Sequence, residues 1–163
     1  MPMILELLPE VGVATLRLGM SADEAVGAAR ELGFAPCDPD YGDEPGQLLC
    51  EHGEYQTEFT LGFTKGALTD IHVYRFRVED VDVSVVLDGL DVFRTPSEEL
   101  LERLEERGHT VEQNDDGVDT LPDLKVILSN ESTFEHPMDE EGDPIYFDYA
   151  LVTSVDFRAP RGD

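Results

Sequence analysis

Two short segments of the sequence each have the signals of a complete helix. They read RLGMSADEAVGAARELGF at residues 17–34 and VFRTPSEELLERLEERGHTV at residues 92–111. Ser21 and Glu24 have the spacing of a capping box, in which each side chain accepts a hydrogen bond from the other residue's backbone N–H. Thr95 and Glu98 repeat this spacing, with Pro96 at the favoured first helical position. Each segment therefore contains a start signal for a helix.

The two segments also end alike. Gly33 and Gly108 suit the left-handed conformation that commonly ends a helix. Ser21 and Thr95 lie 74 positions apart, and the two glycines lie 75 apart. This near-constant spacing predicts two related units with helices over 21–33 and 96–107.

Strand patterns follow each helix. Apolar residues alternate with polar ones from Tyr55 to Phe63, and Lys65-Gly66 predicts a turn into a second strand. Residues 124–129 and 145–152 alternate in the same way after the second helix, and the β-branched run 81–87 predicts the strand that opens the second unit.

These patterns together predict an α+β protein. It consists of two tandem strand-helix-antiparallel-meander units over 1–80 and 81–158, with a tail at 159–163 and both helices on one face of a mainly antiparallel sheet. The alternative is a single unrepeated α+β sandwich in which the second helix packs elsewhere.

Charge restricts the possible partners. The chain of 163 residues has 37 acidic and 11 basic residues, and its formal net charge is −26. Clustered Lys and Arg are needed to bind phosphates, so no nucleic-acid partner is expected, and anionic membranes would repel the chain. A basic protein would be attracted. The alternative is that the acidity serves only solubility. Without an apolar span or a basic leader at its start, the chain is predicted to be cytoplasmic.

The opening of the chain resembles a known family. Residues 8–33, LPEVGVATLRLGMSADEAVGAARELG, resemble the start of the domains shared by the beta-lactamase inhibitory protein and the small outer-membrane assembly lipoproteins. Bacterial proteins suspected of being toxin-immunity factors have similar openings. The match is carried by Leu18, Gly19, Met20, Ser21, Glu24, Val26, Leu32 and Gly33.

The resemblance implies a tandem of two units that binds another protein. The second unit departs from it, since Val92-Phe93-Arg94 replaces the glycine-methionine pair, and the absence of a lipobox cysteine disfavours a lipoprotein role. A disulfide between Cys37 and Cys50 would match a loop disulfide of the inhibitory protein. Two reduced thiols are the alternative, because the cytoplasm keeps cysteines reduced.

Motifs of catalysis are sparse. The four histidines are not at metal-ligand spacing, and the acidic loops 38–44 and 138–144 lack the full ligand pattern of a calcium loop. Cys50 and His52 would share one side of a strand, which suggests a nucleophile with its base or, more simply, two neighbours in a sheet. No catalytic residue, metal or cofactor is therefore assigned, and the chain is not expected to be an enzyme.

Two surfaces are candidates for partner binding. The first is the acidic loop around an aromatic anchor, Tyr41, with Asp38, Asp40, Asp43 and Glu44. The second is the sheet face opposite the helices, to which the alternation assigns Gln56, Glu58, Thr60, Lys125, Tyr146 and Asp148.

The strand 71–77 has two possible orientations. Ile71, Val73, Arg75 and Arg77 share one side of it, and His72, Tyr74 and Phe76 share the other. We expect the aromatic set in the core, which leaves Arg75 exposed as a further binding residue. The sequence therefore predicts a cytoplasmic binding protein, an immunity protein or inhibitor of a basic toxin or enzyme. The alternative is a small-ligand binder or enzyme that uses the acidic loops or the Cys50–His52 pair.

Overall fold

A computed structural model of the chain describes residues 3–37, 40, 46–52, 57–76, 82–113, 118–129, 140–141 and 145–154. The described part is α+β, with two helices and two mainly antiparallel sheets, which confirms the predicted fold class. Neither helix has the length and apolar composition that crossing a membrane requires.

The smaller sheet has five strands in the order β3-β2-β1-β8-β9. They are β1 (Met3–Leu8), β2 (Gly12–Val13), β3 (Leu16–Arg17), β8 (Val83–Leu87) and β9 (Leu90–Asp91). Its central pair is parallel, with Met3 opposite Val83 and Leu7 opposite Leu87. The sheet therefore joins strands from the first and second halves of the chain.

The larger sheet has eight strands, all of them antiparallel, in the order β10-β11-β12-β13-β7-β6-β5-β4. They are β4 (Ala35–Pro36), β5 (Gln47–His52), β6 (Thr57–Thr64), β7 (Ala67–Tyr74), β10 (Glu112–Gln113), β11 (Val118–Leu121), β12 (Val126–Ser129) and β13 (Tyr149–Thr153). Because β7 and β13 are neighbours, strands from the two halves of the chain meet at its centre.

Helix α1 (Ala22–Glu31) begins as the sequence predicts. The Glu24 N–H donates to the Ser21 hydroxyl over 3.2 Å, and the Ser21 N–H donates to the Glu24 carboxylate over 3.0 Å. The helix is followed by Gly33, whose φ is +92°. Its small buried side chains allow it to pack closely against β3, β4 and β7.

Helix α2 (Ser97–Glu106) is at the predicted position, but the second capping box is wrong. Pro96, not Thr95, is the N-cap residue, and no side chain caps the helix. Pro96 has an extended ψ of 139°, which leaves Thr95 one residue too early to serve as the cap. A tertiary contact satisfies the backbone instead, because the Ser97 N–H donates to the Ile145 carbonyl over 2.9 Å.

The hydrophobic core contains residues from both helices and both sheets. Leu5 and Val85 of the smaller sheet, Phe59 of the larger sheet and Leu104 of α2 are all fully buried in one cluster. Phe59 stacks on Phe34, with ring centroids 4.3 Å apart. One face of the larger sheet therefore packs against this shared core.

The alternation predicted for β6 is confirmed, but the orientation expected for β7 is wrong. Phe59 and Leu61 of β6 are buried, and Lys65-Gly66 forms the turn that follows. In β7, Ile71 and Val73 face the core, whereas His72 and Tyr74 are half-buried on the opposite face. Phe76, just beyond the strand, is buried as expected.

Candidate functional site

The larger sheet has a half-exposed face opposite the core, which we call the outer face. We define it by Leu49, Thr60, His72, Leu151 and Ile127, which lie side by side in register across five strands, together with Tyr74, Tyr149, Glu51 and Glu58. Leu49 is among the few large apolar side chains that the structure leaves exposed. Aromatic and aliphatic groups in the middle of an exposed sheet are typical of protein-binding surfaces.

Hydrogen bonds hold the central side chains of the outer face in place. The Tyr149 hydroxyl shares a hydrogen bond with Nδ1 of His72, and the Tyr74 hydroxyl shares one with the Thr60 hydroxyl over 3.3 Å. The two tyrosines are opposite each other on β7 and β13, with ring centroids 5.7 Å apart. Because these rings are already ordered, less side-chain entropy would be lost when they bind a partner.

His72 is neutral near pH 7 in this setting. Burial lowers its pKa below the ordinary value of 6.5, while the negative charge of Asp70 acts in the opposite direction. Asp70 itself accepts a hydrogen bond from the Thr153 hydroxyl over 2.6 Å. The centre of the outer face is therefore uncharged, with an acid at its edge.

Two carboxylates face each other beside the tyrosines. Glu51 of β5 is directly opposite Glu58 of β6. Partial burial, a hydrogen bond to Glu51 and the charges of both glutamates raise the pKa of the nearby Cys37 thiol. Like charges directly opposite each other disfavour the pairing of two strands.

The residues predicted for binding are divided among three settings. Asp38, Tyr41, Asp43, Glu44 and Gln56 lie outside the described residues. Asp40 is exposed, and Glu58 and Thr60 lie on the outer face as predicted. Lys125 lies in the turn before β12, where its ammonium pairs with Glu10 over 3.1 Å.

The exposure predicted for Arg75 and Asp148 is wrong. The two residues are only 3% and 4% exposed, and the Arg75 N–H donates to the Asp148 carbonyl over 2.9 Å. The guanidinium of Arg75 donates from Nε to the Phe93 carbonyl over 2.9 Å and lies 4.5 Å from the centroid of the Phe76 ring. The carbonyl acceptor and the aromatic ring together compensate for burying the positive charge of Arg75.

Tyr146 belongs to the same internal cluster. It is half-buried, and its ring centroid lies 4.9 Å from the Arg75 guanidinium. The structure therefore places Arg75, Tyr146 and Asp148 together, at the end of β7 and just before β13.

Of the Cys50–His52 pair, only Cys50 lies in the interior, whereas His52 is half-buried. Cys50 is fully buried, and burial raises the pKa of its thiol to about 11. The His52 ring packs edge-on against Phe34, with centroids 5.3 Å apart. A thiol that stays protonated is a poor nucleophile.

Both cysteines are free thiols. The Cys37 N–H donates to the Leu49 carbonyl over 2.8 Å. Cys37 is exposed, as is Leu49, whereas Cys50 faces the core. The disulfide implied by the family resemblance is therefore not formed in this structure. Among the described residues, no three His, Cys, Asp or Glu side chains gather where they could hold a metal ion.

Seven residues of the outer face are not among those predicted for binding: Leu49, Glu51, His72, Tyr74, Ile127, Tyr149 and Leu151. The signal available was the polar atoms of the histidine and tyrosines, which need partners and favour a half-exposed face over a dry core.

Comparison with protein-family models, curated proteins and solved structures finds no match to the chain.

Proposed function

We propose that the protein is an acidic protein-binding module, an immunity protein or inhibitor that neutralises a basic toxin or enzyme in the cytoplasm. The outer face carries this proposal. It presents two ordered tyrosines beside facing glutamates, in a chain with a net charge of −26. Aromatic anchors supply binding energy and acidic charge accelerates encounter with a basic partner.

The edges of the larger sheet favour binding on its face. Within the described residues, the edge strands β4 and β10 have two residues each, and β4 contains Pro36, which has no N–H to donate. Such edges offer little to a peptide that adds a strand, so the proposed partner binds across the strands.

We also propose that the chain is a tandem of two units, over 1–80 and 81–158, with the helices on one face of the sheet. The strand order supports this proposal, since each half contributes four strands to the larger sheet and the two sets meet at the β7–β13 pair. Each half also has one helix and one strand of the parallel pair. This is the organisation that the resemblance to the inhibitory-protein family implies.

Affinity capture tests the proposed function. The immobilised protein is compared with a Tyr74→Ala/Tyr149→Ala variant in bacterial cytosol, and we expect the first to retain a basic protein and inhibit its activity. Loss of two anchors should weaken binding by at least about 2 kcal/mol. Glu51→Gln, which changes an exposed side chain, should slow association without affecting folding.

The control removes charge elsewhere. A Glu102→Gln/Glu106→Gln variant changes two exposed carboxylates of α2 and should retain the partner. Circular dichroism verifies that every variant is folded. Equal capture by the tyrosine variant, or no basic protein captured at low salt, would contradict the proposal.

A further inference from the structure

A small cavity lies where the ends of β1 and β8 approach the end of α2. Its volume is about 250 Å³, and the paired, buried residues Leu7 and Leu87 are part of its lining. Sites for small molecules usually measure roughly 300–1,000 Å³. The cavity therefore suits one side chain better than a cofactor.

One part of the cavity lining is aliphatic. Leu8 is the last residue of β1, Pro9 follows it, and Leu124 lies in the turn before β12. This lining matches the hydrocarbon stem of a long side chain, since arginine and lysine pack their methylenes on apolar surface and keep the charged end in a polar setting.

The other part of the lining is acidic. Glu6 is exposed and forms no ion pair with any described residue. Asp88 accepts a hydrogen bond from Nε2 of His109 over 3.0 Å and lies 3.7 Å from the Arg107 guanidinium. These contacts involve only Oδ2 of Asp88. Oδ1 has no hydrogen bond within the described part of the chain.

Asp88 is ionised near neutral pH. The hydrogen bond from His109 is the main cause that lowers the pKa of Asp88; desolvation acts in the opposite direction, and the charges of Arg107 and His109 lower the pKa further. Lys125, next to Leu124, is already paired with Glu10 over 3.1 Å. A cation entering the cavity would therefore meet two carboxylates with acceptor oxygens to offer.

We propose that this cavity binds an arginine side chain presented by the protein partner. The stem packs on Leu8, Pro9 and Leu124, and the planar guanidinium donates to Glu6 and to Oδ1 of Asp88. Arginine suits the site because its five N–H donors can reach two carboxylates at once. The identity of the partner rests on the proposed function, whereas binding of the side chain itself does not.

The test uses N-acetyl-arginine methylamide, with N-acetyl-citrulline methylamide as the uncharged isostere. Methyl NMR of the labelled leucines follows each titration. We expect saturable shifts at Leu8 and Leu124 with the arginine compound only. Glu6→Gln should weaken binding about tenfold, because it removes a charge-assisted hydrogen bond.

A matched variant separates a defined site from general attraction. Glu102→Gln removes the same charge from the exposed side of α2 and should leave the affinity unchanged. Absence of saturable shifts, equal binding of citrulline, or equal effects of the two substitutions would overturn the proposal.

The two proposals can fail separately. Specific arginine binding combined with failed partner capture would reject the proposed function and support the cavity as a binding site. Successful capture without arginine binding would reject the inference about the cavity alone.

Discussion

Gly33 and Gly108 have almost the same backbone conformation in different surroundings. Their φ angles are +92° and +93°, which cost an L-residue about 1 kcal/mol or more. A Cβ at Gly33 would lie 2.5 Å from Nε2 of His52, whereas at Gly108 it would meet nothing within 4 Å. The two positions therefore separate backbone strain from steric conflict.

We expect Gly33→Ala to destabilise the fold more than Gly108→Ala. The second substitution should cost about 1 kcal/mol, from backbone strain alone. The first should cost at least about 1 kcal/mol more, because the His52 ring must move away from its packing on Phe34. Urea denaturation of both variants gives the difference, and equal losses would show that His52 moves without cost.

Protonation of His72 should destabilise the fold. Its folded pKa lies below 6.5, so the unfolded chain binds the proton first as pH falls. The stability that neutral His72 contributes is complete above pH 6.5 and is lost as pH falls through the lowered folded pKa. Asp70 opposes this effect by favouring the charged form.

His72→Asn tests this dependence. The variant keeps a polar group near the Tyr149 hydroxyl but cannot be protonated in this range. Thermal unfolding is measured from about pH 8 to about pH 5, and the wild type should lose more stability than the variant. Parallel curves for the two proteins would contradict a lowered pKa.

The two helices differ in how their first turns are satisfied. In α1 the Ser21 hydroxyl accepts from the Glu24 N–H, whereas α2 has no side-chain cap. We expect Ser21→Ala to cost about 1 kcal/mol. Thr95→Ala, its matched control, should cost less than about 0.5 kcal/mol. Equal losses in thermal denaturation would contradict the different starts of the two helices.

The sequence predicts an element well where its signal is local. The capping box at Ser21, the exit at Gly33 and the turn at Lys65-Gly66 each depend on residues a few positions apart. Strand β6 is predicted because only one of its sides is apolar. In these cases the chain itself contains enough information.

The orientation of β7 required information that the strand does not contain. Ile71 and Val73 share one side and the rings of His72 and Tyr74 share the other, so alternation alone does not decide which side faces the core. Ile71 and Val73 consist of hydrocarbon only, whereas His72 and Tyr74 reach polar partners on the outer face. One of those partners, Tyr149, is 77 residues from His72 in sequence.

At the scale of the molecule, strand pairing was the least predictable feature. Alternation assigns side chains to faces but does not choose neighbours, and the parallel pair of β1 and β8 joins residues as far apart as Met3 and Val83. The burial of Arg75 was also unpredictable from its own strand, because its acceptor, the Phe93 carbonyl, lies 18 residues away in sequence.

Net charge acts over the whole molecule, and salt tests whether it assists binding. The Debye length falls from about 10 Å at 0.1 M salt to about 3 Å at 1 M. If the charge of −26 steers a basic partner, association should slow sharply over that range, while dissociation changes less. Surface-binding kinetics at two salt concentrations measure both rates with the captured partner.

The location of the charge is tested with two variants of equal net charge. One neutralises the acidic loop by changing Asp38, Asp40, Asp43 and Glu44, which should lower the association rate and leave stability intact. The other changes four exposed glutamates of α2: Glu98, Glu102, Glu105 and Glu106. We expect the loop variant to associate more slowly than the helix variant, because the loop is one of the two surfaces that the sequence predicts for partner binding. Tyr41→Ala should instead speed dissociation, by about 1–2 kcal/mol for a buried anchor. Equal rates for the two variants would mean that the net charge acts without a preferred point of contact, and a salt-independent rate would leave solubility as the role of the acidity.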